Sequence, residues 1–409
     1  MQVSHQSLRR YSTLSLLAAA LFAGSALATG PSHESSREGV VQQASPNTPV
    51  LTNENSQRPR IQLAILLDTS SSMDGLIDQT RNQLWQIVNE FSAASKDGVV
   101  PILEIALYEY GNDGLSVSNG YIRRLNGFTR ELDAVSEGLF SLTTNGGSEY
   151  CGFVIKTAIN DLQWSPSNTD VKAIFIAGNE SFAQGPVDYH EVAKLAQSKG
   201  ILINTIHAGG WNEGINEEWQ AGALLAAGKY MNIDADQQVV HVDAPQDQKI
   251  AELNAKLNST YIPYGAKGAE KIRRQMEQDE ASSKVSAGLL AKRAKSKSSS
   301  FYNNATWDLV DAFEEGKIDE KALTEIDEKE LPKPMKGLSG KEKVEYVREK
   351  TQERKLLKEQ ITELGKSRSA YVAKVKSEQA AAAPSMGDAL TQAVKQQAEQ
   401  KNFVFEKQE

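Results

Sequence analysis

Four nearly continuous apolar runs constrain the fold of this chain more than any other feature of its sequence. The runs lie at 61–67, 102–107, 171–177 and 201–206, and each has the length of one strand. Continuous rather than alternating apolar residues are typical of strands that are buried on both faces, as in a parallel sheet. The runs therefore predict an α/β domain at 60–263 with a doubly wound, mostly parallel, Rossmann-like sheet.

Segments with helical spacing separate these runs, as such a fold requires. Apolar residues recur at helical spacing in 76–91, in 153–162 and in 192–196, and each set predicts a helix between two strands. The short segment 121–125 follows the second run closely, and we expect it to form an antiparallel strand at one edge of the sheet.

The N-terminus has the three parts of a secretory signal peptide. Arg9 and Arg10 form a positive region, an apolar stretch follows at 14–27, and Ala26 and Ala28 give a small-x-small cleavage pattern. The apolar stretch is short for a bilayer span, which needs about 20 residues. We therefore predict a signal peptide at 1–28 and a periplasmic or secreted mature chain with no transmembrane segment. An uncleaved N-terminal anchor is the alternative interpretation.

The remaining segments differ from the α/β domain in composition. Residues 29–59 are rich in Ser, Pro, Asn, Gln and Glu and predict a disordered linker. We predict a mainly helical C-terminal extension, with a charged helical region at 264–340, a long helix at 341–378, and a linker with a final helix at 379–409. The long helix is either one strand of a coiled coil, through which chains could oligomerise, or a single helix on the α/β domain. Its apolar seam, which Arg368 interrupts, consists of Leu357, Ile361, Leu364, Tyr371 and Val375.

The charge of the chain excludes some partners. Its formal net charge is -8, and removal of a signal segment that contains Arg9 and Arg10 would leave -10. An acidic chain without a basic stripe argues against binding to nucleic acid and to anionic membrane surfaces. Cys151 is the single cysteine, so no internal disulfide can form and the fold depends on its apolar core.

One motif carries most of the chemical information. Asp68, Ser70 and Ser72 form a D-x-S-x-S pattern that directly follows the first apolar run and precedes a predicted helix. Ligands of open α/β sheets bind at this carboxyl edge. One carboxylate and two hydroxyls on a surface loop suit a hard divalent cation, Mg²⁺ or Ca²⁺, with Mn²⁺ as a third option. The alternative is that these side chains only cap the helix.

The motif and its position resemble the von Willebrand factor A (VWA) family, the fold of integrin inserted domains. The resemblance covers 60–263 and implies that D-x-S-x-S is the first element of a metal-ion-dependent adhesion site (MIDAS). It implies direct metal contacts for Ser70 and Ser72 and a contact through water for Asp68. The family's second element is a threonine in a Gly-rich loop. Ser148 stands in that position here, and the adjacent Glu149 could add a carboxylate.

The third element of the family pattern is altered. The resemblance implies an aspartate after the fourth strand, but Gly178 occupies that position. Either Glu180 or Glu149 substitutes for the aspartate, or the ion binds more weakly, or the site is a relic. The surrounding phrases resemble a subgroup of exported bacterial VWA proteins with an atypical MIDAS.

These features predict binding rather than catalysis. We expect an adhesion or scaffold protein whose partner protein offers an acidic residue to the bound cation. One alternative is an envelope hydrolase that uses the metal or Cys151, with His207 at the same edge of the sheet. Another is a structural protein whose metal site is degenerate. We further expect Trp211 and Trp219, which follow His207, to pack beneath the surface loop.

Overall fold

The structure is a computed structural model that describes residues 58–71, 73–233, 241–378 and 386–405. The predicted signal peptide, nearly all of the predicted linker and Ser72 lie outside the described residues. The strands are β1 (Arg60–Asp68), β2 (Ala94–Ser95), β3 (Ile102–Tyr110), β4 (Ile122–Thr129), β5 (Val171–Gly178), β6 (Leu202–Ala208), β7 (Tyr230–Ile233) and β8 (Val404–Phe405).

Six of these strands form the central sheet, in the order β4-β3-β1-β5-β6-β7. Every neighbouring pair is parallel except β3 and β4, which are antiparallel. The four apolar runs became β1, β3, β5 and β6, whose residues are almost all buried. The predicted doubly wound fold and its antiparallel edge strand are confirmed.

Helices cover both faces of the sheet and form the C-terminal extension. Their bounds are α1 (Asp74–Phe91), α2 (Leu132–Phe140), α3 (Cys151–Asp161), α4 (Tyr189–Ser198), α5 (Trp211–Asn216), α6 (Trp219–Leu225), α7 (Asp247–Asn258), α8 (Gly268–Val285), α9 (Ala287–Lys297), α10 (Leu309–Glu314), α11 (Glu320–Glu325), α12 (Gly340–Glu378) and α13 (Met386–Glu399). The predicted helices at 76–91, 153–162 and 192–196 correspond to α1, α3 and α4.

Each face of the sheet has its own apolar core. On one face, α3, α4 and α6 pack against the sheet around Phe182 and Trp219. On the other face, α1 and α2 pack together with α7, α9, α12 and α13 around Trp85 and Phe91. The extension therefore shares a core with the sheet, because Leu289, Leu357 and Leu390 belong to the same apolar cluster as β1.

Buried ion pairs join the extension to the rest of the chain. The Arg293 guanidinium of α9 contacts Asp133 of α2 at 2.7 Å and Asp279 of α8 at 2.6 Å, and Lys297 contacts Asp279 at 2.9 Å. A second cluster surrounds Arg354 of α12, which contacts Asp308 and Asp311 at 2.5 and 2.7 Å respectively. Charged residues of the predicted charged helical region and of the long helix thus form part of the interior.

The long helix α12 packs on its own chain. Leu357 and Ile361 of the predicted seam are buried in the shared core, and Arg368 pairs with Asp247 of α7. Oligomerisation through α12 therefore stays a prediction. The extension is not purely helical, since β8 pairs antiparallel with β2. Among the described residues, no helix has the length and apolar character that crossing a membrane requires.

Candidate metal centre

The candidate site begins where β1 ends. Asp68 is fully buried, so it does not lie on a surface loop as we expected from the sequence. The backbone N–H of Ser70 donates a hydrogen bond to Asp68 Oδ1 at 2.7 Å, and the Ser70 hydroxyl donates to Asp68 Oδ2 at 3.1 Å. The carboxyl group and the first serine of the motif are therefore held together. Ser72, the second serine, is not among the described residues.

A second carboxyl group lies against Asp68. Glu149, which lies two residues before α3, is buried, and its side chain is hydrogen bonded to that of Asp68. Burial raises the pKa of Asp68 well above its ordinary value, and the Glu149 carboxylate raises it further. Burial also raises the pKa of Glu149. Two buried carboxylates repel each other, so a proton or a cation between them stabilises the pair.

Backbone hydrogen bonds bring three loops together around this pair. The N–H of Asn145 donates to Thr69 O at 3.0 Å, and the N–H of Asp113 donates to Gly146 O at 2.7 Å. The Gly-rich loop at 145–148 therefore lies directly against the loops that follow β1 and β3. This contact places Glu149 beside Asp68, although 80 residues of chain lie between them.

Gly111 makes this convergence sterically feasible. Its φ is 78°, a left-handed conformation that favours glycine. A Cβ atom at this position would lie 2.6 Å from Asp68 Oδ1 and 3.0 Å from Glu149 Cγ. Both observations require a residue without a side chain. Gly111 was not among the site residues predicted from the sequence, and its place shortly after the second apolar run was the available signal.

The structure gives a steric reason for the glycine at 178, where the VWA pattern has an aspartate. A Cβ at Gly178 would lie 2.5 Å from the Tyr110 hydroxyl and 3.3 Å from Asp68 Cβ. The Tyr110 hydroxyl donates to Ala177 O at 3.0 Å and occupies the space that a side chain at 178 would need. A carboxylate at 178 is therefore incompatible with this arrangement of Tyr110.

The two candidate substitutes for that aspartate are placed differently. Glu149 contacts Asp68, and its backbone N–H donates to Gln184 Oε1 at 2.5 Å. The Glu180 side chain is exposed, whereas its backbone N–H donates to Glu149 Oε2 at 3.2 Å. Glu180 thus orients Glu149 through its main chain. Ser148 is half-buried on the Gly-rich loop next to Glu149.

Cys151 lacks the surroundings of a reactive thiol. It is fully buried, and its polar neighbour is the Tyr110 hydroxyl at 3.7 Å. Burial raises the pKa of the thiol well above its ordinary value, whereas nucleophilic cysteines have lowered pKa values and access to solvent. His207 is buried too, and its ring lies 5.8 Å from that of Trp219.

Other polar groups at this edge have structural partners. Glu109 is buried and pairs with Arg123 of β4. Trp219 is fully buried as expected. The expectation for Trp211 was wrong, because this residue is 48% exposed and packs one side of its ring on Tyr230, 4.7 Å away.

The donor set fits a hard divalent cation. Within the described part of the chain, no group of three or more His, Cys, Asp or Glu side chains is arranged to hold a metal. The pair of Asp68 and Glu149 would therefore supply the negative charge, and the Ser70 hydroxyl lies beside both. Hydroxyl, backbone and water oxygens commonly complete the coordination of Mg²⁺ and Ca²⁺.

Comparisons with known proteins add similarities of fold at low identity. No family model matches the chain, and no curated protein matches its sequence. The solved structure of BatB from Bacteroides thetaiotaomicron, a conserved hypothetical protein, is 15% identical over 42% of this chain and 90% of BatB, with a TM-score of 0.33. Proximal thread matrix protein 1 from the mussel byssus, with a zinc-occupied MIDAS motif, is 16% identical over 44% of this chain and 43% of its own, with a TM-score of 0.31. These similarities do not identify a function.

Proposed function

We propose that this chain is an exported bacterial VWA-type adhesion or scaffold protein that binds a partner protein through a divalent cation. Asp68, Ser70 and Glu149 would hold the cation, with Ser72 and Ser148 as further hydroxyl ligands. The observation that supports this proposal most is the buried carboxyl pair of Asp68 and Glu149 beside the Ser70 hydroxyl. A cation would replace the shared proton and offset the repulsion between the two carboxylates.

The partner would supply an acidic residue. When the protein does not supply all of the ligands of a cation, one coordination position stays open for a ligand from another molecule. Mg²⁺ prefers oxygen ligands, and the carboxylate of an acidic residue supplies one. The exposed carboxylates of Asp113 and Glu180 flank the site. They would repel an acidic partner in the absence of the ion, so the cation would act as a switch for binding.

A binding role is favoured over the cysteine-dependent hydrolase because of the position of Cys151. Its thiol is fully buried and its pKa is raised, so both access and reactivity are poor. A metal-dependent hydrolase and a structural protein with a degenerate site stay as alternatives. The metal-dependent hydrolase predicts turnover that requires Asp68. The structural protein predicts that loss of Asp68 leaves the capture of partner proteins unchanged.

Capture of envelope proteins on the immobilised chain tests the proposal. Wild type, Asp68→Asn and Glu149→Gln are compared with Mg²⁺ and with a chelator, and Glu252→Gln, an exposed carboxylate on α7, is the matched control. We expect chelator-sensitive capture by wild type and Glu252→Gln, and at least a tenfold loss in the other two variants, about 1.4 kcal/mol or more. Equal capture by all four proteins in Mg²⁺, undiminished when the chelator is added, would show that the site is a relic.

A further inference from the structure

Two apolar side chains of α5 are open to solvent at the same edge of the sheet as the candidate metal centre. Trp211 is 48% exposed and Ile215 is 37% exposed. Residues four positions apart lie on the same side of a helix, so these two side chains form one patch, which we call the α5 surface. Single exposed apolar residues are common, whereas tryptophan is enriched at the centres of protein interfaces.

Trp211 is held in place before any partner binds. Its ring lies 4.7 Å from the ring of Tyr230, and the Tyr230 hydroxyl donates a hydrogen bond to Trp211 O at 2.8 Å. A Cβ atom at Gly214 would lie 2.2 Å from the Tyr230 hydroxyl, so the glycine lets α5 pack closely on β7. A side chain that is already ordered loses little conformational entropy on binding.

The loops at this edge of the sheet contain acidic residues and no basic residues. These loops are 69–73, 111–121, 141–150, 179–188 and 209–218, and none of them contains Lys or Arg. Their exposed or half-buried carboxylates include those of Asp113, Glu180, Glu213, Glu217 and Glu218. Within the described part of the chain, none of these five is in an ion pair. Unpaired carboxylates on one face attract a cationic group.

Two of these carboxylates border the α5 surface. The Glu213 carboxylate accepts a hydrogen bond from the backbone N–H of Gly210 at 3.2 Å, which holds it at the start of α5 beside Trp211. Glu217 directly follows the last residue of α5 and is half-buried. The apolar patch therefore has an acidic border, and its chemistry fits a partner that is both apolar and basic.

Hydrogen bonds connect this surface to the candidate metal centre. The backbone N–H of Phe182 donates to Glu217 O at 2.9 Å, and the indole N–H of Trp219 donates to Glu180 O at 2.8 Å. The backbone N–H of Glu180 in turn donates to the Glu149 carboxylate at 3.2 Å. The α5 surface and the candidate metal centre are thus parts of one continuous face.

His207 lies directly beneath the α5 surface without a hydrogen-bond partner. Its side chain is buried, and neither ring nitrogen is hydrogen bonded within the described residues. A Cβ atom at Gly209 would lie 2.6 Å from His207 Cε1, and one at Gly214 would lie 2.7 Å from His207 Cγ, so the ring contacts the segment that carries Trp211. Buried polar groups are normally hydrogen bonded, and exceptions are expected at functional sites.

We propose that the α5 surface docks a basic segment of another protein, in which Lys or Arg side chains flank an aliphatic or aromatic residue. The apolar residue packs on Trp211 and Ile215, and the Glu213 and Glu217 carboxylates attract the basic side chains. A cationic group over the exposed part of the Trp211 ring adds a cation–π contact. These contacts need no metal, so the proposal does not rest on the cation at Asp68.

Fluorescence anisotropy on the full chain tests this surface, with chelator present. The probe is a labelled synthetic peptide of lysine, arginine and leucine. In one comparison peptide glutamate replaces the basic residues, and in the other serine replaces leucine. We expect a Kd below about 100 µM for the probe, at least about tenfold weaker binding of both comparison peptides, and weaker binding of the probe at high salt. Equal affinity of the probe and either comparison peptide, or no binding of the probe, overturns the proposal.

Matched variants locate the docking surface. Trp211→Ala is compared with Leu356→Ala, since Leu356 of α12 is 49% exposed. We expect Trp211→Ala to weaken binding of the probe at least about tenfold and Leu356→Ala to bind it as wild type does. Equal affinity of these two variants would place the peptide elsewhere on the chain and contradict the proposal.

Charge variants complete the test. Glu213→Gln/Glu217→Gln should weaken binding of the probe at least about tenfold, whereas Glu359→Gln/Glu363→Gln, at exposed positions of α12, should leave it unchanged. Glu217→Gln alone repeats the comparison should the first variant fail to fold. Asp68→Asn should bind the probe like wild type, so that failure of the cation site and failure of this surface are told apart. Equal affinity of the two double variants would contradict the proposal.

Discussion

The Tyr110 hydroxyl fills the position that the side chain of residue 178 would otherwise occupy, since a Cβ at Gly178 would lie 2.5 Å from it. This relationship gives a steric reason for the glycine at the third element of the predicted metal-site pattern. Tyr110 excludes a carboxylate at 178, and Glu149 reaches Asp68 from the loop before α3. The candidate site therefore contains a pair of buried carboxyl groups.

Tyr110 and Gly178 should be energetically coupled. We expect Gly178→Ala to destabilise the chain by about 1–3 kcal/mol, the usual cost of forcing an extra carbon into a packed interior. In a Tyr110→Phe background, which lacks the hydroxyl, the same change should cost less. Urea unfolding of the two single variants and the double variant measures the coupling. If the losses of stability of the two single variants add up to that of the double variant, the added methyl at 178 does not press on the Tyr110 hydroxyl.

Gly111→Ala should damage the site more than it damages the fold. The added methyl would overlap Asp68 Oδ1 and would also require a left-handed conformation that alanine disfavours. We expect a loss of stability of about 1–3 kcal/mol, together with loss of cation binding. Gly98→Ala is the control, because it has a similar φ of 75° but nothing within 4 Å of the added Cβ. Retention of cation binding in Gly111→Ala would contradict the geometry of the site.

The metal-free protein should become less stable as the pH rises. The folded-state pKa values of Asp68 and Glu149 lie above those of the unfolded chain. Their contribution is therefore complete below the unfolded values, near about pH 4, and is lost as the pH rises through the folded values. In chelator, Asp68→Asn should flatten this part of the profile of Tm against pH. Identical profiles for wild type and Asp68→Asn would show that the two carboxyl groups do not share a proton.

The buried cluster around Arg293 should carry much of the stability of the extension. Arg293→Met leaves Asp133 and Asp279 without a major partner in the interior, and we expect a loss of about 3–5 kcal/mol. Arg273→Met breaks an exposed pair with Glu277 and should cost less than about 1 kcal/mol. Chemical unfolding of both variants provides the comparison. Similar small losses would mean that the cluster contributes specificity without net stability.

The sequence was sufficient to predict the sheet but only part of the site. Continuous apolar runs identified β1, β3, β5 and β6. A strand that is covered on both faces has apolar residues at nearly every position, instead of alternating apolar and polar residues. The D-x-S-x-S pattern located Asp68 and Ser70 at the edge of the sheet. Which acid lies beside Asp68 stayed open, since the position of Glu149 depends on contacts between distant loops.

The buried charges of the C-terminal extension could not be predicted from the sequence either. Charged residues in helical segments usually face solvent, so Arg293 gave no sign that it is buried. Its partner Asp133 is 160 residues away along the chain. A contact between residues so far apart produces no periodic pattern in the local sequence. The helices of the extension do produce such patterns and were predicted in outline.

Direct measurement of cation binding tests the central claim, that Asp68 and Glu149 hold a divalent cation. Equilibrium dialysis of the full chain against Mg²⁺, Ca²⁺ or Mn²⁺ gives the number of bound ions, and Asp68→Asn, Glu149→Gln and Glu252→Gln are measured in parallel. We predict one ion per chain for wild type and Glu252→Gln, and no bound ion for the other two variants. Failure of the wild-type chain to bind any of the three ions, or unchanged binding by Asp68→Asn and Glu149→Gln, would contradict the proposed site.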